Sequence, residues 1–141
     1  MDKKTIIKTR LILERDSKIL LLAQTTSNGG KFTLVGGTVE KHEYTKTTLI
    51  RETFEEIGIR IQSENLQLIH VLHKKKGKEN RITVYFKTSK WQGKIKAMET
   101  YKFKGVAWFS VHNLPARTSL TVRHVIQQIK MGNLYSELSK K

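Results

Sequence analysis

Cysteine is absent from this 141-residue sequence and proline occurs once. The first absence excludes disulfide bridges and thiolate metal sites. The second leaves no proline-rich linker or polyproline tract. Acidic residues are scarce as well: 12 Asp and Glu stand against 27 Lys and Arg, a formal net charge of +15. Long apolar runs are missing. In the N-terminal stretch MDKKTIIKTRLILERDSKILLLAQ the longest run is Ile19 to Ala23, too short for the apolar region of a secretory signal or for a membrane span. A cytoplasmic location is the expectation. With no repeat or low-complexity tract, and enough chain to bury one core, residues 1–141 are read as a single domain.

Between Lys74 and Lys104 eleven Lys or Arg face only Glu79 and Glu99. A solvated basic surface explains any one of these lysines. Together they make a field that draws in polyanions, whether nucleotide phosphates, nucleic acid or acidic membrane.

Thr5 to Leu13, rich in β-branched residues, predicts a strand; DSKILLLAQ predicts a turn and a buried strand, and SNGGK a second turn. FTLVGG reads as a short strand entering a Gly-Gly bend. A helical period runs from about Tyr44 to Ile57, with Gly58 placed to end it. Further strands are expected at 66–73, 81–87 and 105–109. A turn follows at 113–115, then a helix from Leu120 to Met131 whose Val122, Val125, Ile126 and Ile129 share a face. Mixed strands with two helices imply a layered α/β or α+β domain.

Against this basic background, five glutamates crowd into GGTVEKHEYTKTTLIRETFEEIGI, residues 36–59. At about 100° per residue, Ile50, Phe54 and Ile57 fall on one side of the helix and Glu52, Glu55 and Glu56 on nearly the other. The expectation is an apolar side docked on a sheet and carboxylates turned away from it. Glutamates three and four apart repel one another and weaken an isolated helix. An acidic solvent-facing helix is one reading. The other is a cation site, because converging carboxylate oxygens suit a hard ion such as Mg²⁺ or Mn²⁺. Arg51, one turn before Glu55, is placed to fix its rotamer.

Gly37, Glu43, Arg51, Glu52, Glu55, Glu56, Gly58 and Ile59 stand at the spacing of the Nudix box, and the chain resembles the Nudix hydrolases. KILLLAQ, FTLVGG and GVAWFSVHNLP resemble that family's flanking segments, so the likeness covers residues 4–131. Thr53, Val35 and His42 depart from the usual box and its approach. The resemblance implies an α/β/α sandwich around a mixed sheet, and hydrolysis of a nucleoside diphosphate linked to another moiety. It assigns Glu52, Glu55 and Glu56 to a Mg²⁺ or Mn²⁺ ion, with backbone groups of Gly37 nearby. Arg51 would hold the cluster, and Glu43, Gly36 and Gly58 would orient loop and helix. The general base differs among Nudix subfamilies; a box glutamate is the first choice and Glu99 the second.

Markers of ADP-ribose, dinucleoside polyphosphate, coenzyme A and NADH hydrolases are missing, and METYKFKGVAWF resembles MutT-type nucleoside triphosphate pyrophosphohydrolases. A nucleoside or deoxynucleoside triphosphate, cut to monophosphate and pyrophosphate, is therefore the leading substrate. Phe32 and Phe86 are candidates to stack on its base, with Tyr85 and Trp91 beside them, and Lys102 is a candidate substrate contact. An enzyme acting on RNA 5′ ends and a non-catalytic nucleotide- or RNA-binding module are the alternatives. His70 and His73 are three apart, a spacing that sends strand side chains to opposite faces and argues against a shared metal.

Overall fold

The structure is a computed structural model that describes residues 4–140. Its strands are β1 (Thr5–Arg15), β2 (Lys18–Gln24), β3 (Phe32–Thr33), β4 (Val35–Thr38), β5 (Gln67–Lys76), β6 (Glu79–Thr88), β7 (Phe103–Ser110) and β8 (Tyr135–Lys140). Its α-helices are α1 (Thr45–Ile57) and α2 (Leu120–Lys130). The long β1 organises the sheet. It runs parallel to β6 from Thr5 against Asn80 to Leu13 against Thr88, and antiparallel to β4 from Lys8 against Thr38 to Leu11 against Val35. Its last residues turn into β2 through Asp16 and Ser17, both at positive φ, the twist a two-residue hairpin requires. Antiparallel pairing of β2 with β7 and of β5 with β6, and parallel pairing of β5 with β8, complete the mixed sheet.

The alternation of strand side chains makes two cores. Leu11 and Leu13 of β1, Leu20 and Leu22 of β2, and Val35 pack with Leu49 and Ile57 of α1. Their neighbours Ile12, Ile19, Leu21 and Leu34 pack on the other side with Val122, Val125 and Ile126 of α2. Burial on both faces explains why KILLLAQ is an unbroken apolar run. The helices therefore lie on opposite faces of the sheet, the α/β/α sandwich.

Several expectations need correction. The Gly36-Gly37 pair lies inside β4, hydrogen-bonded into the ladder with β1, and is not a bend. Strand β8 has no counterpart in the sequence reading, because YSELSK offers little apolar alternation; its edge place is set by His70. This histidine is fully buried, with Nδ1 2.8 Å from the Asn133 carbonyl and Nε2 2.7 Å from Ser136 Oγ, while His73 turns to Asn80. Helix α1 is rotated by about one residue's 100° from the expected phase. Its buried side chains are Thr48, Leu49, Thr53, Glu56 and Ile57, whereas Phe54 is exposed beneath the guanidinium of Arg60. Glu56 thus points toward the sheet, not away from it.

Candidate active site

Helix α1 begins without a side-chain cap and ends at Gly58, whose left-handed φ of 74° lets its N–H reach the Phe54 carbonyl. Two further amides close this end: Lys96 N–H donates to the Ile57 carbonyl at 3.1 Å, and Met98 N–H to the Glu56 carbonyl at 2.9 Å. The segment leading to Glu99 is thereby laid along the helix terminus.

Arg51 is the hub of the glutamate cluster. Its Nε and Nη2 donate to the two carboxylate oxygens of Glu43, each at 2.9 Å, a bidentate pair. Nη1 donates to Glu52 Oε1 and Glu55 Oε1, both at 3.0 Å. Glu43 also accepts from Thr48 Oγ1 at 2.7 Å and from the Glu40 amide, which ties the loop before α1 to the helix. Hydrogen bonds from Arg51 and Thr48 hold the Glu43 carboxyl down at about 2, and the same pairing raises Arg51 above its ordinary value.

Glu56 is the opposite case. It is 4% exposed and its Oε1 accepts from the Gly36 N–H at 3.0 Å. Burial pushes its pKa up to about 8, and the nearby negative charges of Glu52 and Glu99 push the same way, against the Gly36 hydrogen bond and Arg10. Glu52 lies against the backbone of β4. A Cβ on Gly37 would come within 2.6 Å of the Glu52 carboxyl carbon, and one on Gly36 within 2.1 Å of the Thr9 carbonyl oxygen, so neither position has room for a side chain. Glu99 pairs with Lys102 at 3.9 Å and accepts from Tyr101 Oη at 3.2 Å.

These groups open on a cleft of about 690 Å³ lined by Gly36, Gly37, Glu40, Glu52 and Glu56 and by Lys8, Arg10, Lys41 and Lys102. Glu55, half-exposed, is held off it by Arg51. Among the described residues no three carboxylate or imidazole side chains already converge on one point. The arrangement explains this: Arg51 draws Glu52 and Glu55 one way, and Gly36 draws Glu56 another. The chemistry of the donors still fits a hard divalent cation, since the carboxylates of Glu52 and Glu56 line the cleft beside the backbone of Gly36 and Gly37.

The aromatic candidates do not reach the cleft. Phe86 is 5% exposed in the core beneath α1, and Phe32 packs edge-to-face on Phe109 at 5.2 Å on the α2 side. Tyr85 is buried and Trp91 stacks on Trp108. The cleft is instead lined by Lys8 and Arg10, which sequence reasoning passed over, while Phe103, which also borders it, is 6% exposed in the same core as Phe86. Their signal was present: two cations two residues apart in the apolar strand TIIKTRLIL share one face of the sheet.

The family model of the NUDIX domain matches residues 7–129. Among solved structures, the chain is similar to a MutT NUDIX hydrolase from Burkholderia pseudomallei at 22% identity and a TM-score of 0.80, over 89% of this chain and 98% of that one. It is similar to a MutT protein from Methanosarcina mazei Go1 at 20% identity and a TM-score of 0.79, over 94% of this chain and 97% of that one. The ORF135 protein of E. coli matches at 22% identity and a TM-score of 0.75, over 92% and 90% of the two chains. No curated protein matches. With Glu43, Glu52 and Glu55 gathered on Arg51 beside a cationic cleft and the family's domain spanning most of its length, this chain belongs to the NUDIX family of hydrolases, which act on pyrophosphate bonds.

Proposed function

We propose that the chain hydrolyses a nucleoside or deoxynucleoside triphosphate to the monophosphate and pyrophosphate. The observation that carries this reading is one cleft lined both by the carboxylates of Glu40, Glu52 and Glu56 and by the cations Lys8, Arg10, Lys41 and Lys102. A polyphosphate chain meets both needs there, cations for its free oxygens and a carboxylate-lined site for the bond to be cut. Nudix hydrolases generally use divalent metal ions, and Mg²⁺ or Mn²⁺ is the ion proposed here, held by Glu52, Glu56 and Glu55 beside the Gly37 backbone. Such an ion neutralises phosphate charge and acidifies bound water.

The protein's own residues have separable tasks. Arg51 sets the rotamers of Glu52 and Glu55 through the hydrogen bonds of Nη1. Glu43 fixes Arg51 and ties the preceding loop to the helix. The absence of a side chain at Gly37 lets Glu52 approach the backbone of β4, and the Gly36 N–H donates to Glu56 beside it. A box glutamate is the proposed proton acceptor, with Glu99 the second choice because it lies close enough to act on the charge of Glu56. Lys102, paired with Glu99 on the cleft rim, is the proposed phosphate contact.

The test is a hydrolysis screen across nucleotide classes with magnesium or manganese and with products identified by ³¹P NMR. Monophosphate and pyrophosphate from a triphosphate support the reading. Diphosphate and orthophosphate, or turnover confined to RNA 5′ ends, would replace it.

A further inference from the structure

Away from the cleft, a buried polar cluster has no task in the hydrolysis. His70 of β5, His124 of α2 and Ser136 of β8 meet where the second helix and the edge strand pack on the sheet. Ser136 Oγ lies 2.7 Å from His70 Nε2 and 3.1 Å from His124 Nε2, and His70 Nδ1 lies 2.8 Å from the Asn133 carbonyl oxygen. His70 is fully buried and Ser136 is 8% exposed, so these groups depend on one another for hydrogen bonds.

With both rings neutral, donor and acceptor rules assign every proton in the chain. The Asn133 carbonyl only accepts, so His70 carries its proton on Nδ1 and leaves Nε2 bare. Ser136 donates its single hydroxyl proton to His70 Nε2, and its oxygen accepts from His124 Nε2–H. One added proton can be carried on Nδ1 of the half-buried His124 without breaking this chain. Two cannot. A second proton, on His70 Nε2, would aim two imidazolium N–H groups at one oxygen and leave the hydroxyl proton without an acceptor.

The surroundings hold nothing that would balance the charge. Tyr85 of β6 meets His70 edge-on at 6.2 Å between ring centroids, and burial pushes its hydroxyl up to about 12, which keeps it neutral. Lys74, on the same face of β5, donates to Thr121 Oγ1 at 2.7 Å. His112, Arg123 and Lys130 line the groove along α2 that also takes in His124. The carboxylate of β8, Glu137, alternates to the opposite face and accepts from Tyr135 Oη at 2.6 Å. Among the described residues no carboxylate pairs with either ring. Burial and the nearness of His70 accordingly lower His124 from its ordinary 6.5.

We propose that His70, Ser136 and His124 form an acid-sensitive latch on β8, closed while the two rings share one hydroxyl and opened when both carry a proton. Strand β8 is the last in the sheet order and pairs only with β5, so opening uncovers the edge of β5 from Val71 to Lys76. Helix α1, on the opposite face of the sheet, stays in place. The sign follows from linkage: a histidine lowered in the folded state contributes stability that is fully present above 6.5 and is lost as pH falls below it. The inference is independent of the substrate assigned above.

The test is amide hydrogen exchange of the full chain, read by NMR as protection factors at about pH 7.5 and about pH 5, so that the intrinsic pH dependence of exchange cancels. Amides of β8 should lose about tenfold or more in protection relative to those of β1 and β6, the factor expected when one buried hydrogen bond is broken. At the higher pH, ring nitrogen shifts should show His70 protonated on Nδ1 and His124 on Nε2. In Ser136→Ala, β8 should already be loose at the higher pH, and its further loss in acid should shrink to about threefold or less. His124→Gln keeps the test sharp if that variant folds poorly. Its amide carries no charge and can donate to the hydroxyl or accept from it, so β8 should stay protected in acid. The proposal is overturned by β8 protection that does not change in wild type, or by an equal loss in β1 and β6. A His70 ring protonated on Nε2 at the higher pH, or a His124→Gln variant that loosens as wild type does, overturns it as well.

Discussion

Glu56 holds a proton more tightly in the folded protein than in the unfolded chain, because burial beside Glu52 and Glu99 lifts it from 4.5 to about 8. The sign of the consequence is fixed by linkage. The contribution to stability is fully present below about pH 4.5 and is lost as pH rises toward about 8. The slope contributed is at most about 1.4 kcal/mol per pH unit. Glu43 acts in another window: held at about 2, it adds stability above pH 4.5 that is lost as pH falls. His124, lowered by burial and by His70, loses stability on the acid side of 6.5. A difference measurement isolates Glu56. In chelator, wild type should lose melting temperature between pH 5 and 8 relative to Glu56→Gln. Parallel curves would mean that the carboxyl is ionised at ordinary pH. Added magnesium should release a proton from wild type in the same range, seen as a buffer-dependent binding enthalpy.

At the scale of one element, α1 shows what the sequence disclosed and what it concealed. The box spacing, the helix and its end at Gly58 were all legible, because each depends on local chemistry. The phase of the helix was not. Three polar residues, Thr48, Thr53 and Glu56, lie on the docking face, and hydrophobicity alone assigned that face to Ile50 and Phe54. Phe32 and Phe86 lie in the two cores and not at the cleft, a difference the sequence does not show, because an aromatic in a strand looks the same whether its face is core or cleft. The pairing of β1 with β6 is a long-range contact with no local signature. Thr53 carries a testable cost, since its side-chain oxygen is buried with no hydrogen-bond partner among the described residues. Thr53→Val keeps the shape and removes the unpaired hydroxyl, and should raise unfolding stability by about 1–2 kcal/mol. A loss of stability in urea denaturation would show that the hydroxyl is satisfied.

Across the whole molecule, the net charge of +15 has a place to act. Four cations, Lys8, Arg10, Lys41 and Lys102, line the cleft that also holds Glu52 and Glu56. Diffuse attraction of this kind serves ground and transition states alike, so it belongs in KM. Replacing Lys41 and Lys102 by Gln should raise KM for a triphosphate several-fold with a smaller change in kcat. Raising salt past about 0.1 M, where the Debye length is near 10 Å, should do the same to wild type. A fall in kcat with KM unchanged would place these lysines in the chemical step.

The role proposed for the carboxylates beside β4 is read from the rate of pyrophosphate release from a nucleoside triphosphate. Wild type and Glu56→Gln are compared at saturating substrate and magnesium, after circular dichroism has established that both are folded. Loss of one carboxylate charge at the reacting phosphate should lower kcat by about a hundredfold or more. A variant that turns over within about threefold of wild type would contradict the claim, because a defect that small is about 0.65 kcal/mol of barrier.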